Sequence, residues 1–279
     1  MKVLFRTNSA GPECRYIVAD DFVKGNYLVV FGYGIYTTSD FKTPHYIGGL
    51  SNLNGYVNGA KSLSRFSYIN GIASSPTTDR HIWISDQDNS CFRTLDRLTN
   101  ITSDLTGVCG GFRRILDGDF ASAEVAYPFG MAVSPSENKK IYFYESSDGR
   151  IRCLLQVGSI WSIQTITNLN EDIAGLTFDP TGTFLYFTTN SSIMRVSSTW
   201  RSSPETIISG FGHNDGALNS AKMRESKYLH FLDSQNILLT DYKNHVLRVV
   251  DLTQSYVSSI CLLQSSDVSA LGVQLLHAN

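Results

Sequence analysis

The sequence is short of most features that announce a chemistry. No apolar run in its 279 residues approaches the ~20 needed to cross a bilayer as a helix. It has no basic stripe and no acidic tail: 23 basic and 25 acidic residues are scattered along it, for a formal net charge of −2. A nucleic acid demands a basic footprint, so none is expected as a partner. The opening MKVLFRTNSA has too short an apolar core for a secretory signal, which places the chain in the cytosol or makes it a processed or excised domain. Five cysteines (Cys14, Cys91, Cys109, Cys153 and Cys261) include no CxxC pair, which argues against a zinc knuckle or a dithiol redox centre. Their odd number leaves at least one thiol free unless it pairs with another chain. There is no GxSxG elbow, no HxH and no HExxH. The glycine-containing stretches DGDFAS and GFGHNDG are turns, because neither follows a buried strand and opens a helix. No long stretch carries 3.6-residue periodicity. Glycosylation sequons at Asn100 and Asn190 are what a chain rich in Asn, Ser and Thr yields by chance.

What the sequence does have is repetition. The segments SDQDNSCFRTLD (85–96), YESSDGRIRCLL (144–155), FTTNSSIMRVSS (187–198) and TDYKNHVLRVVD (240–251) share a polar residue followed seven positions later by Arg. The pairs are Asp86 and Arg93, Glu145 and Arg152, Thr188 and Arg195, Asp241 and Arg248. Successive Arg residues are 59, 43 and 53 positions apart, a supersecondary period with loops of variable length. Strand-like runs precede each phrase, such as HIWIS, KIYFYE, FLYFTT and NILLTD, and turn-forming residues separate them. Each unit therefore reads as four short antiparallel strands, near 15–49, 68–108, 127–168, 173–209 and 227–263. A second phrase lies between units: NGAKSLSRF (58–66), DGDFASAEV (117–125) and DGALNSAKM (215–223) align without gaps. Asn58, Asp117 or Asp215 precedes a turn glycine; Ser64, Ala123 or Ala221 permits close approach; Phe66, Val125 or Met223 plugs a gap.

Four-stranded units at this spacing indicate a β-propeller. The linker phrase together with the D-x-x-N-x-x-hydrophobic-R hairpin, over roughly residues 15–262, resembles the NHL-repeat family. That resemblance implies a propeller serving mainly as a protein- or ligand-binding scaffold through its loop faces, with a minority of related propellers being enzymes. The expected fold is all-β, five clear blades in one domain over 1–279. An incomplete sixth blade is expected from the terminal segments KVLFRT (2–7) and SDVSALGVQLLHA (266–278); a five-bladed ring is the alternative.

The repeated hairpin phrase is expected to be structural. A catalytic device would appear once, and Glu145 and Thr188 stand where Asp stands elsewhere without changing the spacing. Asp241 and Arg248 are expected to face each other across the hairpin, with Asn244 satisfying the turn. Six histidines (His45, His81, His213, His230, His245 and His277) fall at different places in their units, unlike a matched channel metal site. Asp20, Glu171 and Asp172 are candidate oxygen ligands for a channel cation in the alternative reading, a lactonase-like hydrolase or lyase; turn formation is the simpler role. Trp200 beside Arg201, in the loop SSTWRSSPE, has the composition of a binding hot spot, against the simpler reading that Trp200 packs on a neighbouring blade. No cofactor and no catalytic residue is expected, and the partner is a protein or another macromolecular ligand.

Overall fold

In the computed structural model the described residues are 14–20, 22–40, 43–74, 80–110, 113–137, 140–145 and 149–262. They form five antiparallel sheets. The first holds β1 (Cys14–Ala19), β2 (Tyr27–Phe31), β3 (Gly34–Thr38) and β4 (His45–Gly48). The second pairs the two-residue β5 (Gly59–Ala60) with β9 (Ile101–Thr106), outside β6 (Ile69–Ser74), β7 (His81–Asp86) and β8 (Cys91–Asp96). In the third, β10 (Gly118–Asp119) flanks β14 (Ile160–Asn168), beyond β11 (Pro128–Val133), β12 (Lys140–Glu145) and β13 (Arg150–Val157). The fourth is β15 (Gly175–Phe178), β16 (Phe184–Thr188), β17 (Ser192–Ser197) and β18 (Glu205–Ser209). The fifth sets β19 (Gly216–Ala217) against β23 (Tyr256–Leu262), outside β20 (Ser226–Phe231), β21 (Asn236–Asp241) and β22 (Val246–Asp251).

The burial pattern explains why the second strand of each sheet reads as an apolar run. HIWISD, KIYFYE and NILLTD are buried at every position after the first, because these strands are covered on both faces by neighbouring sheets. The core is correspondingly divided between blades. Val18 and Leu28 of the first blade pack with Ile72 and Ile84 of the second. Trp83 and Phe92 pack with Phe143 and Leu154, Tyr142 and Ile151 with Phe178 and Phe187, and Tyr186 and Ile193 with Leu229 and Leu239. Phe66, Val125 and Met223 from the linkers are each within 1% of complete burial and lie in these layers.

The inner strands β1, β6, β11, β15 and β20 follow one another around a central channel. Tyr16 of β1 and Tyr228 of β20 meet edge to face in the narrow part of the channel, with ring centroids 5.6 Å apart. Among the described residues the chain is an all-β propeller of five blades. The terminal segments assigned to a sixth blade, 2–7 and 266–278, lie outside the described residues. One correction concerns strand number. Three blades carry a fifth, two-residue strand, because the linker passes outside the blade and hydrogen-bonds to its outermost strand before turning inward. Among the described residues the helical structure is a single 3-10 turn, Tyr242–Asn244, and no helix is long and apolar enough to cross a membrane.

Candidate functional site

The two sequence phrases meet in one device. The Arg248 guanidinium is fully buried and donates from Nη1 to Asp241 Oδ2 (3.0 Å) and to the Lys222 carbonyl (2.5 Å). From Nη2 it donates to the Asn214 carbonyl (2.5 Å) and to Asp215 Oδ1 (2.7 Å). Arg152 repeats this with Glu145, the Glu124 and Leu116 carbonyls and Asp117. Arg93 repeats it with Asp86, the Arg65 and Val57 carbonyls and Asn58. Acid and Arg are diagonal neighbours and not directly opposite: Arg248 pairs with Leu239 across the ladder, and Asp241 with Val246. A bulge follows the residue before each of these Arg side chains, which turns the long side chain towards the linker.

Each of these Arg residues faces two carboxylates, by different routes. Asp215 also accepts the Ser259 N–H (2.8 Å) and hydroxyl (3.0 Å), and Asp117 accepts the same pair from Thr165. In the second blade the acid changes strands. The linker has Asn58, and Asp104 on β9 lies 3.7 Å from Arg93 Nε and accepts the Tyr56 hydroxyl at 2.6 Å. Burial opposes the charge of Asp117 and Asp215, but the hydrogen bonds from Thr165 or Ser259 and from Arg152 or Arg248 outweigh it and hold both below the ordinary carboxylate value. Asp86 has no exposed surface, and there burial prevails: it pushes the carboxyl up to about 6 against the pull of Asn89, the Ser67 N–H and Arg93.

Thr188 and Arg195 share the spacing and not the device. Arg195 bonds Glu205 on the outermost strand through Nε (2.9 Å) and the Tyr186 hydroxyl (3.2 Å). The Thr188 hydroxyl is buried without a hydrogen-bond partner. The fourth blade also lacks the linker phrase, so no carbonyls and no second acid are in place to receive a buried guanidinium.

This frame fixes the turns that surround the channel. Asp241 and Asn244 bracket Tyr242 and Lys243, and the Asn244 amide bridges Asp241 Oδ2 and the Gly212 carbonyl. Asp86 and Asn89 bracket Gln87 and Asp88 in the same way, with Asn89 bonded to Asp86 and the Gly55 carbonyl. The two bracketed positions are free of the device, and Gln87 and Asp88 line the mouth of the channel. A second set of lining residues, Tyr68, Asn70, Phe129 and Lys227, comes from the starts of the inner strands, where the backbone is unusual. Tyr68, Tyr127 and Glu225 have positive φ (63°, 52° and 50°) immediately before β6, β11 and β20, a conformation that such side chains rarely adopt. Two residues further on stand Asn70, Phe129 and Lys227, at or beside a bulge in each strand.

Tyr68, Asn70, Gln87, Asp88, Phe129 and Lys227 border a cavity of about 550 Å³ at one end of the channel. The Asn70 amide donates to Gln87 Oε1 at 2.5 Å, Tyr144 stacks on Phe129 with centroids 5.5 Å apart, and the Tyr144 hydroxyl donates to the Ala174 carbonyl at 3.0 Å. Below it Tyr16, Tyr144, Tyr228 and Met131 narrow the channel to about 30 Å³. Burial first, then the neighbouring phenols, keep the Tyr16 and Tyr144 hydroxyls far above their ordinary pKa, so this floor is neutral. Beyond it a second mouth of about 360 Å³ is mainly apolar, with Ala73, Met131, Val133, Phe178 and Phe231.

The candidate cation ligands do not converge. Asp20 follows the strand end that lines the apolar mouth, and Arg97 takes both its oxygens at 2.6 Å. Asp172 lines the opposite mouth. His230 and Asp179 lie at the apolar mouth, where Asp179 accepts the Phe184 N–H (2.8 Å) and the Thr181 hydroxyl (2.5 Å) as a turn former. His45 and His81 begin β4 and β7, His213 is in a linker and His245 in a turn; His277 is outside the described residues. Among the described residues no three His, Cys, Asp or Glu side chains are placed to hold one ion. Trp200 is half-buried and stacks on Tyr142 of the third blade, centroids 5.6 Å apart, while Arg201 is exposed; neither is among the residues lining the two mouths. Cys91 and Cys109 form a disulfide closing the loop after β9 onto the start of β8. Cys153 is buried, and burial pushes its thiol up to about 12, which makes it unreactive.

The mouth residues carry no motif. Their signal is variation at repeat positions that the fold leaves open: Asn70, Phe129, Ala174 and Lys227 occupy equivalent sites, as do Gln87 and Asp88 against Tyr242 and Lys243.

No family model matches the chain, and no curated protein matches it. Solved propellers do. An auxiliary nutrient binding protein from Bacteroides thetaiotaomicron superposes with a TM-score of 0.64 at 14% identity, over 88% of this chain and 56% of that one. A chain of the nidogen/laminin complex gives 0.61 at 14% identity, over 91% of this chain and 81% of its own. The chain thus spans little more than half the length of the Bacteroides protein. At such identities the likeness establishes the propeller fold.

Proposed function

We propose that the protein is a non-catalytic NHL-type propeller that binds a protein or smaller ligand at the polar mouth of its channel. The observation that carries this is the division of labour among repeat positions: Asp, Asn and Arg hold the turns, while Gln87 and Asp88 meet Asn70, Phe129, Ala174 and Lys227 of the inner-strand starts at one cavity with differing chemistry. A volume of about 550 Å³ falls within the range of roughly 300–1,000 Å³ usual for ligand sites. The described neighbours, one a nutrient-binding protein and one a component of a protein complex, support a binding role in coarse terms. The Cys91–Cys109 disulfide favours a processed ectodomain over the cytosol, since disulfides persist in oxidising compartments.

Ligand-observed NMR against a panel of neutral sugars, amino acids, short peptides and nucleosides tests the reading. Binding is expected to vanish in Asp88→Ala/Lys227→Ala and to survive in Arg201→Ala. Binding that ignores the mouth substitutions, or turnover of a panel member on prolonged incubation, would sink it.

A further inference from the structure

We propose that the polar mouth takes a neutral saccharide; this rests on the reading of that mouth as the binding face and names its ligand class. Four aromatic side chains border the cavity: Tyr68, Phe129, Tyr144 and Tyr228. Tyr68 is 39% exposed although its backbone sits at φ 63°. Tyr127 and Glu225 also adopt positive φ at the equivalent positions, so the conformation belongs to the blade, and at Tyr68 it brings a partly exposed phenol to the rim of the cavity. A partly exposed phenol face suits the C–H face of a pyranose ring.

The polar groups are of the matching kind. Asn70 and Gln87 are planar amides already fixed to each other at 2.5 Å, so little side-chain freedom is left to lose on binding. Amides and carboxylates each offer two polar atoms at the spacing of vicinal hydroxyls, and Asp88 and Asp172 stand on the same rim. Lys227 is the one cationic side chain lining the cavity among the described residues.

Charge excludes the main competitors. With two carboxylates against one ammonium, the rim is not suited to a phosphate, sulfate or polyanionic ligand, which would call for Arg or several Lys. The phenol floor is neutral, and the cavity is enclosed below by the constriction of about 30 Å³. The ligand therefore enters from one side and stays partly in solvent, as an oligosaccharide end does. Bulges at Asn70 and Lys227 release these residues from the strand ladder and re-aim them, a device found beside binding sites.

The test is saturation-transfer NMR and calorimetry on the whole chain with lactose, cellotriose, maltotriose and chitotriose, and with glycine amide, lysine and trialanine as charged comparators. At least one of the four saccharides is expected to bind. Tyr68→Gly, which relieves the backbone, and Gln87→Ala should each weaken that binding by at least about tenfold with thermal melting held near wild type. Amino-acid or peptide binding at the mouth with no saccharide binding would overturn the saccharide assignment and leave the mouth as the binding face. Saccharide binding that both variants retain would overturn the assignment of the site. Silence from the entire panel would likewise overturn the saccharide assignment.

Discussion

The Arg248 guanidinium reaches back 33 residues to donate to the Asp215 carboxylate at 2.7 Å. That contact ties the third strand of the last blade to the linker that precedes the blade, and equivalent contacts tie Arg152 to Asp117 and Arg93 to Asn58. The linker is both the outer edge of its blade and the path by which the chain enters the inner strand. The buried Arg therefore fixes the blade's edge, its second hairpin and the approach to the channel at once.

Arg248→Ala should destabilise the protein by about 3–5 kcal/mol, because it leaves Asp241 buried without its charge partner. Arg195→Ala should cost at most about 1 kcal/mol, since its partner Glu205 is largely exposed. Urea denaturation of the two variants checks this. Equal losses would show that the spacing alone, and not the linker cage, sets the contribution.

Reducing Cys91–Cys109 should lower stability by about 3 kcal/mol on loop entropy, for a loop of 18 residues. Melting with and without a membrane-permeant thiol reductant, compared with Cys91→Ser/Cys109→Ser, measures it. An unchanged midpoint would mean that the loop is held by the hydrogen bond from the Gly110 N–H to the Asn89 carbonyl and not by the sulfurs.

The acid limb of stability should contain two opposed contributions. Asp117 and Asp215 have depressed values in the folded state, so their contribution is complete above the unfolded carboxylate range near about 4 and is lost as pH falls below it. Asp86, raised to about 6, contributes below about 4 and loses that contribution as pH rises through about 6. The melting difference between wild type and Asp215→Asn should shrink on acidification. The difference between wild type and Asp86→Asn should shrink between about pH 4 and 6 as pH rises. A difference that moves the other way in either variant refutes the corresponding assignment.

Trp200→Ala should cost about 2 kcal/mol, because the indole stacks on Tyr142. Arg201→Ala should stay within about 0.5 kcal/mol. Thermal melts read both, and the ligand-panel assay reads the alternative role: loss of binding in Trp200→Ala at wild-type stability would restore the Trp200–Arg201 loop as a binding patch.

Five blade positions and the strands within them were legible in the chain itself, because each depends on local patterning. HIWISD and NILLTD alternate with turn residues wherever they lie in space, and the Asp-Gly and Asn-Gly linkers carry their backbone requirement with them; Gly216, at φ 133°, needs it whatever packs nearby. Sequence also showed that Asp241, Asn244 and Arg248 form a repeated structural phrase. Tertiary structure decided what the phrase bonds to. Arg195 has the same seven-residue spacing, yet it remains at the surface because no linker cage exists to compensate a buried guanidinium. The pairing of Cys91 with Cys109 arises from the folding of one blade, which sets the loop after β9 against the start of β8, whereas the separation of Asp20 from Asp172 and the gathering of Tyr68, Gln87 and Lys227 at one mouth arise from ring closure. Closure places turns of different blades around one axis, and that adjacency has no local physical cause for a linear pattern to record.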